Sequence, residues 1–136
     1  MKKNILNLIL LLTILCGFNS CVDKPLDPID DPEDVLCNGS GWIDSYTDVD
    51  GFFCEQRLVF FYDGRGEETI IRHFSNFPGD FEELRSSFRW DWDDDNYSSI
   101  YMEYGNGDYI IFDDLSIHYD RLSGYFGDDY VTFRPF

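Results

Sequence analysis

Basic residues are scarce in this chain. Ten Lys and Arg stand against 27 Asp and Glu, a formal net charge of −17. Nucleic-acid binding relies on Lys and Arg to displace the counterions of phosphates, so this balance speaks against a nucleic-acid partner. It speaks equally against docking to anionic lipid by charge. Long hydrophobic runs are also missing, with one exception. Ile5 to Leu15 is apolar but for Asn7 and Thr13 over 11 residues, about half of the roughly 20 that a membrane-spanning helix needs. Histidine occurs twice, as His73 and His118, and neither has a nucleophile motif beside it. Gly39-Ser40-Gly41 lacks the spacing of a nucleophile elbow. No phosphate loop and no metal-ligand spacing occurs. Carboxylates are so plentiful that any acid–base pair could be drawn at will, which makes such a pair uninformative. No catalytic residue, no metal and no cofactor is assigned, and the expectation is a protein that is not an enzyme.

What is present begins with an address. Lys2 and Lys3 precede the apolar run, the order of a secretory signal peptide, and residues 1–20 are set aside from the fold on that ground. The run ends in Phe18-Asn19-Ser20-Cys21. This resembles the lipobox of bacterial lipoproteins, with Phe18 standing where that family prefers Leu. The resemblance implies cleavage before Cys21 and lipidation of its thiol. It implies attachment to the bacterial cell envelope as an outer membrane lipoprotein, facing either the periplasm or the surface. Several acyl chains on one residue suffice for a stable anchor. Loss of residues 1–20 removes two lysines and no acid, leaving a net charge of −19.

Residues 22–35, VDKPLDPIDDPEDV, hold three prolines and six acids. Such a composition cannot build a core, so residues 21–36 read as an acidic, Pro-rich, solvated tether. The remaining residues, 37–136, are long enough for one domain. Cys37 and Cys54 fall within it. Outside the cytoplasm a disulfide between them is the expectation, closing a loop of about 17 residues and contributing roughly 3 kcal/mol.

Hydrophobicity alternates with period two almost everywhere in residues 37–136. Strands are expected over 41–47, 55–62, 67–74, 88–93, 97–104, 108–112, 115–122 and 130–134. Asp63-Gly64 supplies a tight turn between the second and third. In the stretch FRWDWDDDN, Phe88, Trp90 and Trp92 fall on one face and Arg89, Asp91 and Asp93 on the other. Asp94, Asp95 and Asn96 then turn the chain. Asp91, Asp93 and Asp95 match the first ligand positions of a calcium loop, but Asn96 stands where that loop needs Gly and Met102 where it needs Glu. The aspartates therefore read as the wet side of a strand and its turn. One segment breaks the alternation. Asp80 followed by Glu83 has the spacing of a capping box, and a short helix is expected over 81–86, with a plain irregular crossover as the alternative.

About eight short strands in meander order point to an all-β protein, a small antiparallel barrel whose closure removes edge strands. The alternative is an open β-sandwich of the same strands. The inward positions expected are Trp42, Leu58, Phe60, Ile70, Phe88, Trp90, Ile100, Met102, Ile110, Phe112, Ile117, Tyr119, Val131 and Phe133.

Gly41-Trp42, Phe60-x-x-Asp63-Gly64-x-Gly66, Phe88-x-Trp90, Leu122-x-Gly124 and the run from Tyr130 to Arg134 together resemble small bacterial lipocalin-like lipoproteins. The resemblance spans residues 37–136 and implies a barrel with Arg134 stacked on Trp42 at its floor. It further implies a lipid-anchored binding or structural module holding a small apolar ligand. Candidate cavity residues are then Trp42, Phe60, Phe88, Trp90, Met102 and Tyr119. Two other uses stay open. Tyr97, Tyr101, Tyr109 and Tyr125 could stack on sugar rings of a surface glycan, or the barrel could be filled by its own side chains and serve as an inhibitor or interaction protein.

Overall fold

The structure, a computed structural model, describes residues 31–74 and 79–136. The signal segment, Cys21 and residues 22–30 of the expected tether lie outside the described residues. Eight strands follow one another: β1 (Trp42–Thr47), β2 (Phe53–Phe60), β3 (Arg65–His73), β4 (Phe81–Trp92), β5 (Ile100–Gly105), β6 (Asp108–His118), β7 (Arg121–Phe126) and β8 (Asp129–Pro135). Every neighbouring pair is antiparallel, and β1 also pairs with β8. The meander closes into a barrel, which excludes the open sandwich.

Period-two alternation is what lets these strands close. On β2 the burial alternates strictly, with Cys54, Gln56, Leu58 and Phe60 inward. Phe88 and Trp90 are buried on β4 and Trp92 is packed against them, as the alternation of that stretch requires. Trp42, Leu58, Phe60, Ile100, Met102, Phe112, Ile117, Leu122 and Phe133 complete the core. Ile70, Ile110 and Val131 are inward by register but only half-buried. Tyr119 is the exception among the expected inward residues. It lies in the turn after β6 and is 64% exposed.

Three features depart from the sequence reading. The segment 81–86 is strand, not helix. Its backbone is taken up in a nine-pair ladder with β3, from Arg65↔Arg89 to His73↔Phe81. The Asp80 carbonyl accepts a hydrogen bond from Phe74 N–H at 3.0 Å and so closes the hairpin. Glu83 pairs with Arg85 instead of folding back on a helix end. The single helix among the described residues, α1 (Pro32–Leu36), sits in the region assigned to the tether. Asp31 caps it by accepting from Glu33 N–H at 3.0 Å, and Pro32 at the first position suits a helix start. Val35 and Leu36 are buried in the core, so packing reaches back before Cys37. The Trp42 indole N–H donates to the Leu36 carbonyl at 2.9 Å, tying α1 to β1.

The third departure concerns 108–126. The two strands expected over 108–112 and 115–122 are one strand, β6, interrupted by a bulge between Asp113 and Ser116. A separate strand, β7, follows from Arg121. Gly124 faces the bulge, and a Cβ there would lie 2.5 Å from the Asp113 carbonyl oxygen. Asp114 takes a positive φ of 52° to make the bend.

Closure is uneven, and this positions the site. β1 and β8 pair only at Trp42↔Pro135 and Ile43↔Arg134. β4 and β5 pair only from Arg89↔Glu103 to Trp92↔Ile100. Residues 81–88 of β4 thus have β3 on one side and no strand on the other. The barrel is sealed at the Trp42 end and splayed at the opposite end.

Candidate functional site: a cleft at the β4–β5 seam

Where β4 and β5 part, the wall opens into a cleft of about 540 Å³. Its floor is Gly66, Phe88 and Tyr104, and its rim carries Arg65, Glu67, Arg89 and Glu103. Gly66 is essential to this shape, because a Cβ there would overlap the Phe88 ring. Phe88 in turn leans on Tyr104, ring centroids 5.4 Å apart, and meets Phe60 edge-on at 5.5 Å. A second hollow of about 420 Å³ adjoins it across Arg89 and is lined by Asp63, Trp90, Asp91 and Tyr101. The Trp90 indole N–H donates to the Phe61 and Arg65 carbonyls at 3.1 and 3.0 Å, which fixes the Asp63-Gly64 turn beside the cleft.

The two rim arginines differ. Arg65 is held by Asp63 at 2.6 Å. Arg89 sits opposite Arg65 on one side and Glu103 on the other in the register, yet forms no ion pair within 4.0 Å among the described residues. Behind the floor lies an unusual pair of polar side chains. Gln56 and Glu68 are each only 8% exposed, and Gln56 Nε2 donates to Glu68 Oε1 at 2.5 Å. The Tyr104 hydroxyl is sealed from solvent with no hydrogen bond closed upon it. Burial first, and then Glu68, push the Tyr104 phenol well above its ordinary range. Burial first, then Cys54 and behind it Glu68, raise Tyr46.

Of the cavity residues expected from the sequence, Trp42, Phe60 and Met102 are fully buried within the packed core and line neither hollow. Phe88 forms the cleft floor, and Trp90 reaches the second hollow. Tyr119, exposed in the turn after β6, lines neither hollow. Arg134 does not stack on Trp42. It is paired in register with Ile43 on the outer face and is exposed. Trp42 instead spends its indole on α1, and Arg57 is the arginine that covers a ring, Phe136, at 4.4 Å.

The expected disulfide is absent, and Cys37 and Cys54 are free, buried thiols. Cys37 stays at the end of α1, beside Trp42. Cys54 is opposite Tyr46, four residues along β1. At about 3.3 Å per strand residue that separates the two by roughly 13 Å, beyond the reach of a disulfide.

Of the tyrosines expected to meet sugars, Tyr101 and Tyr109 stack on the outer face at 5.4 Å with a 27° interplanar angle. Tyr125 meets Tyr130 edge-on, and Tyr97 packs edge-on against Trp92. In the acidic turn after β4, Asp94 takes hydrogen bonds from the Ser98 backbone and hydroxyl. Those bonds, the hydroxyl first, hold its carboxyl below the usual range. His73 lies 3.5 Å from Glu55, and His118 Nε2 is 3.0 Å from the Ser116 hydroxyl. Among the described residues no three His, Cys, Asp or Glu side chains converge as a metal site would require.

Gln56, Glu68, Tyr104 and Arg89 were not singled out from the sequence. A signal for Glu68 existed, since it shares the inward parity of Ile70. No protein-family model, curated protein or solved structure matches the chain.

Proposed function

We propose that this protein is a lipid-anchored extracytoplasmic binding module that takes a small amphipathic ligand into the cleft at the β4–β5 seam. The observation that carries this reading is the division of the barrel. Its interior is filled by its own aromatic and aliphatic side chains, whereas the open β4–β5 seam leaves a hollow in the wall, floored by Gly66, the buried Phe88 ring and Tyr104 inside a charged rim. Concave sites of a few hundred Å³ with an apolar floor and a few polar groups are the usual form of a small-molecule site. The lipocalin-like and lipoprotein readings fit this division. The first supplies a barrel with one open end, and the second, through Cys21, a tether to the outer membrane.

A second reading has its own observation. The stacked, exposed Tyr101 and Tyr109 beside Asp91 and Arg89 form a flat aromatic face with hydrogen-bonding groups at its edge. That arrangement suits a sugar ring of a surface glycan.

Native mass spectrometry of the full chain, purified from its host in neutral detergent, tests the first reading. The expected result is acylation at Cys21 together with a reproducible non-covalent adduct. Ser87→Trp, on the exposed cleft rim where a large aromatic suits a strand, removes the adduct and leaves the melting temperature within a few degrees. A bare wild-type mass, or an adduct that survives Ser87→Trp, would refute the cleft as the binding site. A chain starting before Cys21 and lacking lipid would refute the anchor.

A further inference from the structure

The free edge of β4 offers a defined set of main-chain groups. Trp90 N–H donates to the Gly64 carbonyl at 2.8 Å, and the Asp80 carbonyl accepts from Phe74 N–H at 3.0 Å. Even-numbered residues of β4 therefore turn their amides and carbonyls toward β3. Alternation along an antiparallel strand points those of Phe81, Glu83 and Arg85 the other way. Among the described residues no strand lies on that side, because β5 pairs with β4 only over 89–92. An unpaired edge of this kind is a template for another strand.

The side chains say which strand. Glu83 and Arg85 share the outer face and pair with each other along β4. Between them Leu84 has inward parity, opposite Ile70, yet it is 56% exposed. Charges on an edge usually guard it against pairing. Here opposite signs flank Leu84 symmetrically, so the edge is complementary to itself. When two copies meet antiparallel about a two-fold axis at Leu84, each Glu83 faces an Arg85 and Leu84 faces Leu84. Both Glu83–Arg85 positions are then hydrogen-bonded pairs, each exchanging two N–H···O bonds. The Leu84 position is a non-hydrogen-bonded pair, where side chains approach most closely. Glu82 meets Ser86, so no like charges oppose each other. Moving the axis one residue either way sets Arg85 against Arg85 or Glu83 against Glu83, which is destabilising. Charge complementarity thus selects one register.

We infer that the partner of the β4 edge is a second copy of this chain, paired antiparallel over residues 82–86 about a two-fold axis at Leu84. The result is a four-stranded sheet, β3–β4–β4–β3, in which Ile70, Leu84, Leu84 and Ile70 form one continuous apolar row. Such an isologous contact closes on itself, so assembly stops at two copies. Strand addition draws its affinity from main-chain bonds, but a net −17 on each copy resists contact. The dimer is therefore weak. It forms at high protein concentration and at moderate salt, where a Debye length of about 8 Å screens distant charges more than pairs in contact. The pairing ends short of Ser87, where the lining of the cleft begins, so it stands or falls apart from ligand binding.

Leu84→Cys tests it in the full chain, with neutral detergent micelles in excess and about 150 mM sodium chloride. The side chain replaced is exposed, and opposed positions of this type hold their Cβ atoms about 4.5 Å apart, close to the span of a disulfide. Mild oxidation joins two chains at position 84, identified by mass spectrometry of the linked peptides. The reaction runs at least tenfold faster than for Ser86→Cys, whose opposite residue is Glu82. Adding Arg85→Glu sets acid against acid and slows the linkage at least tenfold. Adding Glu83→Arg as well restores opposite signs and restores the rate. Equal rates for Leu84→Cys and Ser86→Cys, or a rate that Arg85→Glu leaves unchanged, overturns the inference. The wild-type chain supplies an independent readout. Amides of Glu83 and Arg85 exchange fast at about 1 μM and at least threefold slower at about 500 μM, a range that brackets a weak dimer. Exchange that is the same at both concentrations overturns it as well.

Discussion

Burial sets the chemistry of the two thiols. Desolvation, with Glu33, Asp34 and Asp31 behind it, pushes Cys37 from 9.0 up to about 12. Desolvation also raises Cys54, with Asp48 adding to it. The thiolate is the reactive form, so at pH 8 the Cys37 shift leaves about a thousandfold less of it than an ordinary cysteine would have. In the folded protein both thiols are expected to resist iodoacetamide for hours. In denaturant without any reductant, both are expected to label fully, read as two added carbamidomethyl groups by peptide mass spectrometry. If denaturant alone exposes neither, and reductant is needed, the chain holds a disulfide and the free-thiol assignment is wrong. A residue's type and compartment made the disulfide a fair expectation. Only the register of β1 on β2 separates the pair, and register is a property of the closed sheet rather than of either cysteine.

At the level of elements, the alternation of single strands was legible because each buries one face against the same core. Phe88, Trp90 and Trp92 declare their side of β4 without help from any partner. The helix expected over 81–86 and the tether expected through Leu36 were misread for a common reason. Local signals such as Asp80 and Glu83, or the proline and acid content of 22–35, are worth about 1 kcal/mol each. A nine-pair ladder with β3, or burial of Val35 and Leu36, outweighs them. The same blindness hid the cleft. Glu68 could be placed on the inner face, but nothing local reveals that β5 leaves β4 unpaired beyond Arg89. That seam has a measurable consequence. Over 81–88, amides that bond to β3 alternate with amides that face the open side. Hydrogen exchange should therefore show slow and fast amides in alternation there, differing by at least tenfold, and uniform protection over 89–92. Uniform protection through 81–88 would mean that the seam is covered or that the segment is helical.

For the whole molecule, charge and closure act against each other. One core cluster gathers the buried aromatic and aliphatic side chains, and Trp42 ties α1 to it. The splayed end carries acids on its inner faces, with Arg72 tied to the turn between β1 and β2. In that turn desolvation raises the Asp48 carboxyl, but the Phe52 amide and Arg72 together bring it below its ordinary value. Such local pairs weaken when salt is added, because screening reaches any exposed pair. The excess of 27 acids over 10 bases responds in the opposite sense. Most of the described carboxylates have no cation within 4.0 Å, and their mutual repulsion opposes the compact state. With so few pairs to lose and so many like charges to screen, repulsion dominates. The melting temperature at pH 7 is expected to rise by several degrees between about 10 mM and 150 mM sodium chloride, as the Debye length falls from about 30 Å to about 8 Å. Potassium chloride should act alike, because screening does not depend on the cation's identity. A melting temperature that falls with salt would show that the ion pairs around Arg72 and Arg57 outweigh the acidic excess, and that the splayed end is held by charge rather than strained by it.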